Sequence, residues 1–103
     1  MKLIQQLSDR ISEEISDAKY YAKFALEVKD EHPDLSQTLY NISLEEMGHM
    51  GRLHDAVAKI IADYRKEKGE PPASMMAVYE YLHKRQIEKA AEAKALQAMY
   101  KGN

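Results

Sequence analysis

The chain has 103 residues, no cysteine, and 17 acidic against 15 basic side chains for a net charge of −2. That length bounds a single domain with a modest core that would gain from assembly as a homo-oligomer, and the mixed charges leave no basic patch for nucleic acid. The absence of thiols excludes disulfides, thiolate zinc sites and iron–sulfur clusters, leaving carboxylates and imidazoles as the strong metal ligands and favouring harder metals.

The start of the chain lacks the apolar run of a signal peptide, and no stretch approaches the roughly 20 apolar residues of a membrane span, so a soluble, cytoplasmic protein is expected. Helix formers dominate, prolines occur only at Pro33, Pro71 and Pro72, and no alternating β-branched run gives strands a foothold. The expected fold is all-α: an antiparallel helical hairpin followed by a long third helix.

Helix 1 is predicted over 2–30. Its residues Ile4, Leu7, Ile11, Glu14, Ala18, Tyr21, Ala25 and Val28 keep spacings of three and four and share one face, on which Glu14 stands alone among apolar neighbours. The link around Pro33 is short enough to force the hairpin, with His32 as an exposed cap and Asp34 with Gln37 as a capping pair.

Helix 2 is predicted over 35–68, closed by Arg65, Lys66, Lys68 and Gly69. Its stripe is Leu39, Ile42, Glu46, His49, Leu53, Val57 and Ile60, so a Glu-x-x-His step lands where the helix should be apolar. Gly48 and Gly51 each cost roughly 1 kcal/mol in a helix interior, which close approach of a partner helix or a kink would explain.

Helix 3 is predicted over 75–101, capped by Ser74. Glu80 and His83 repeat the Glu-x-x-His spacing near the level of His54 and Asp55. Beside Lys84 and Arg85 they read as a solvated pair, the alternative being a second metal site. The pairs Met47 with Met50 and Met75 with Met76 read as core filler, and the alanine-rich stretch from Ala90 to Ala98 as a surface for oligomerisation.

An ionised carboxylate buried without a partner costs several kcal/mol, so Glu46 must be protonated, paired or metal-bound. At about 1.5 Å rise per residue, Glu14 lies about 24 Å from the turn, Glu46 about 18 Å and His49 about 22 Å, so the three meet at one level. An internal Glu46–His49 salt bridge would need no metal, but Glu14 adds a second acid, and Lys19 and Lys23 fall off the stripe. Two carboxylates and one imidazole are half the ligand set of a helix-bundle dimetal site. Two chains packed about a twofold axis would complete it, forming a four-helix bundle from two hairpins.

The run Glu13-Glu14 with Tyr20-Tyr21, the Pro33-Asp34-Leu35 turn, and Glu45-Glu46-Met47-Gly48-His49 resemble the ferritin-like superfamily, most closely the encapsulated ferritins, over about half the chain. That resemblance implies a ferroxidase whose di-iron centre, ligated by Glu14, Glu46 and His49 at a dimer interface, oxidises Fe(II) with dioxygen for storage or detoxification. It also implies a transient iron-uptake site at Glu13 and Asp17, and an encapsulin shell as partner. The long third helix and the ending from Ala98 to Asn103 are unlike the short helix and targeting tail of those proteins. Tyr21, on the face of Glu14, could donate an electron or hydrogen-bond a ligand. The rival readings are a non-catalytic metal-binding or structural module, and a rubrerythrin-like peroxide-consuming di-iron enzyme, here without a rubredoxin module.

Overall fold

The computed structural model describes residues 2–102, and all three of its elements are helices: α1 (Lys2–Val28), α2 (Pro33–Lys68) and α3 (Ala73–Tyr100). α1 and α2 form the antiparallel hairpin, α3 lies along α1, and α2 and α3 hardly touch each other. Among the described residues, no helix is long and apolar enough to cross a membrane.

The molecule is a rod of 56 × 21 × 18 Å with a radius of gyration of 16.4 Å, where a compact domain of this length would have about 13 Å. Its accessible surface is 6850 Å², against roughly 5900 Å² for a typical folded monomer of this mass. The excess surface reflects the shape, since helices of this length cannot wrap one another into a sphere.

Two apolar clusters hold the rod together. Ile4, Ile11, Ile15, Val57, Ile61 and Ala90 join all three helices at one end, and Ala25, Leu39 and Tyr40 do so near the turn, with Tyr21, Phe24 and Tyr100 packed around them. Ala18, Ala22 and Ala93 are fully buried, small residues that let backbones approach closely.

Buried polar side chains set the register of α3. Gln86 Nε2 donates to the Ser8 carbonyl at 3.0 Å and to Ser12 Oγ at 3.1 Å. Gln97 Nε2 donates to Ser43 Oγ at 2.9 Å, while Ser43 in turn donates to the Ala18 carbonyl at 2.6 Å. Replacing Ser43 by alanine strands the buried Gln97 amide, a loss of about 1–3 kcal/mol. Urea unfolding of Ser43→Ala should show a lower midpoint; an unchanged midpoint would mean that the amide finds another acceptor.

The helix ends depart from the sequence reading in one consistent way. α2 starts at Pro33, where a missing N–H costs nothing, and His32 occupies the N-cap position through its backbone, the Ser36 N–H donating to its carbonyl at 2.9 Å. Asp34 and Gln37 therefore make no capping pair: Gln37 donates to Asn41 Oδ1 and accepts from the Tyr100 hydroxyl. Pro72, with ψ of 137°, caps α3 in place of Ser74, which lies inside the first turn. α1 stops two residues short of Asp30, where the chain turns. Gly69 closes α2 at φ of +84°, a conformation glycine tolerates best. A Cβ added at Gly48 or Gly51 would meet nothing within 4 Å, so packing within one protomer does not account for either glycine.

Candidate metal centre

Antiparallel pairing brings Glu14 of α1 opposite Glu46 and His49 of α2, and one ligand atom from each of the three lies within 4.8 Å of the others. His49 Nδ1 stands 3.5 Å from Glu14 Oε2 and 4.0 Å from Glu46 Oε2. Glu14 is buried and Glu46 partly so, while half of the His49 side chain is exposed. The group thus sits at the surface of the hairpin, away from the serines on which α3 docks.

Arg10, off the inward stripe, supplies a cation to the site. One turn before Glu14, it donates from Nη2 to Glu14 Oε1 at 3.3 Å and pairs with Glu13 through Nη1. The spacing of four that joins Arg10 to Glu14 was the available signal. The guanidinium is itself largely exposed, so it neutralises the site incompletely.

The two carboxyl groups titrate as a pair. The hydrogen bond between them, then burial, then the Glu14 charge push Glu46 up to about 7, with His49 opposing and Asp17 assisting. The same hydrogen bond holds Glu14 below the usual carboxylate range, assisted by His49 and Arg10 against burial. Ionisation of the second carboxyl is thus delayed to about neutral pH, because two adjacent carboxylates resist simultaneous ionisation. Among the described residues, buried Glu14 Oε2 has no hydrogen-bond partner. An unsatisfied buried carboxylate oxygen beside a second carboxylate and an imidazole fits a divalent ion, which would occupy these lone pairs with oxygen and nitrogen ligands.

Residues 6–102, nearly the whole chain, match the rubrerythrin family. The chain belongs to the rubrerythrin family. It is therefore a ferritin-like protein of a di-iron family. Membership does not single out the encapsulated ferritins within that superfamily. No curated protein and no solved structure matches the chain.

In this chain, Tyr21 is half-buried against the turn-end cluster, its ring edge-on to Tyr20 at 5.5 Å between centroids. Glu13 is exposed on its ion pair with Arg10, and Asp17 is exposed but close enough for its charge to act on Glu46. Among the described residues, Glu14, Glu46 and His49 form the one group of three His or acidic side chains gathered this closely.

The second Glu-x-x-His step divides instead of acting together. Glu80 points to solvent, whereas His83 is partly covered and stacks on His54 of α2, the ring centroids 4.8 Å apart. The solvated pair expected from sequence is thus corrected for His83: the flanking charges masked a ring that faces the hairpin.

Proposed function

We propose that this rubrerythrin-family protein is a ferroxidase that works as a twofold pair, oxidising Fe(II) with dioxygen at a site shared by two chains, for iron storage or detoxification. The observation that carries the reading is the half-set of ligands at the hairpin surface, with Glu14 Oε2 lacking a donor. Two copies would supply four carboxylates and two imidazoles, the set that ferritin-like dimetal bundles draw from four helices.

The surface around the ligands supports a partner copy. Leu35 and Ile42 keep the helical spacing of Glu46 and His49 along α2, and Leu35 is exposed in the single chain. The rod's excess surface supports the same conclusion. A second copy on this face would remove apolar area from water and cover the exposed side of His49.

Fe(II) is the substrate: two ions giving up one electron each would reduce one dioxygen, with two protons from solvent, to hydrogen peroxide, leaving two Fe(III). Glu14 and Glu46 would hold the ions and balance the added charge of Fe(III), and His49 would fix their position while leaving open coordination sites. Arg10, bonded to the far oxygen of Glu14, would keep that carboxylate turned into the site. Tyr21 and the acids Glu13 and Asp17 are proposed as accessory groups, the first near the electron path and the others where iron first docks.

Aerobic addition of Fe(II) to wild type and to Glu46→Ala tests the reading. Wild type is expected to oxidise iron about tenfold faster or more, in line with the cost of losing a metal-site group. Equal rates would leave a binding module with no turnover. Repeating the assay with hydrogen peroxide in place of dioxygen separates a ferroxidase from a peroxide-consuming enzyme.

A further inference from the structure

Two of the four histidines face each other between α2 and α3. His54 comes from α2 and His83 from α3, helices that otherwise hardly meet, and their rings lie 4.8 Å apart between centroids at 22°. We propose that His54 and His83 form a second metal site, selective for a late first-row divalent ion of the zinc class, which clamps α3 to α2.

The surroundings suit such an ion. The two imidazoles line a cleft of about 220 Å³ floored by Ile11 and Ile15, with Met50 on the same wall one turn before His54. That is ample for an ion and its remaining waters. Tyr79 stacks on His83 at 5.8 Å and 9°, which steadies the ring by its face and leaves the nitrogens free at its edge. Asp55 Oδ1 stands 3.9 Å from His54 Nδ1. A small rotation would let it accept the Nδ1 proton and present Nε2 as the ligand, as carboxylates commonly do behind metal-bound imidazoles.

The charges around the cleft are mixed, Lys84 following His83 directly in the chain. Arg85 is drawn away over the Tyr81 ring at 5.9 Å, Glu80 adds an anionic group one turn before His83, and Lys94 lines the far end of the cleft, about 16 Å along α3.

Ligand chemistry separates this site from the carboxylate group. Two imidazoles with a thioether nearby are softer than two carboxylates with one imidazole, so zinc or copper is preferred here and iron there. Because so little else joins α2 to α3, an ion bridging them would stabilise the folded chain by mass action. The proposal is independent of the ferroxidase reading.

Zinc titration by calorimetry tests it on wild type, His54→Gln, His83→Gln and the double variant Glu46→Ala/His49→Ala. Each single variant should bind one zinc fewer per chain than wild type and oxidise Fe(II) at the unchanged rate, and the double variant should keep that zinc. Zinc should raise the melting temperature of the double variant, and adding His83→Gln should abolish the rise. Full zinc stoichiometry in both single variants, or no zinc bound by the double variant, would overturn the site. Should the single variants fail to fold, the Cu(II) spin-resonance spectrum of the double variant decides: hyperfine splitting from two nitrogens upholds the site, and its absence refutes it.

Discussion

Lowering the pH from 7 to 5 is expected to weaken divalent-metal binding at Glu14, Glu46 and His49 by about fiftyfold, the slope approaching roughly tenfold per unit at the acid end. The cause is the proton that the metal-free site holds on Glu46, pushed up to about 7 by the hydrogen bond and charge of Glu14. Above that value both carboxylates are free to bind; below it every incoming ion must displace a proton.

The stability of the metal-free protein carries the opposite sign. Glu46 titrates near 4.5 when unfolded and near 7 when folded, so between those values the folded state binds more protons than the unfolded chain. Stability contributed by that proton is complete below pH 4.5 and is lost as pH rises through 7. Glu14, whose value is lowered, acts the other way, its contribution disappearing only as pH falls below the usual carboxylate range. Co(II) titration followed by visible absorption measures the binding curve, and Glu46→Gln should flatten it. A wild-type affinity constant between pH 7.5 and 5.5 would show that no proton is shared.

The largest stability loss is expected from Ile11→Ala, at about 2–5 kcal/mol. Ile11 is 2% exposed in the cluster where all three helices meet, and it also floors the cleft between α2 and α3. Truncation would enlarge that cleft, and its neighbours, fixed on long helices, have little freedom to close it. Against a typical total of about 5–15 kcal/mol the loss is severe. Urea unfolding should show a sharply lower midpoint at similar slope, and a change under about 1 kcal/mol would mean that the helices collapse onto the vacancy.

The candidate site was readable because helix geometry is rigid. A fixed rise and period place Glu14, Glu46 and His49 at one level once a short turn forces the hairpin, and no long-range information is needed. Arg10 escaped the reading because attention to the inward stripe passes over a side chain that starts outside it and reaches back across one turn. Proline decided the helix starts: Pro33 and Pro72 fix the local backbone more strongly than the nearby Asp34 or Ser74 can cap it. His83 looked solvated because its chain neighbours are charged, and only the path of α3 shows which side faces α2.

From composition and periodicity alone, the chain specifies three helices, one hairpin and a level at which acids and an imidazole converge. Which face of the hairpin α3 covers was decided only in three dimensions. Gln86 and Gln97 find their acceptors at Ser8, Ser12 and Ser43, so α3 settles on the serine side and leaves His49 half-open to solvent. Periodicity identifies a face but is blind to what lies over it, because that depends on hydrogen bonds between residues 54 to 78 positions apart.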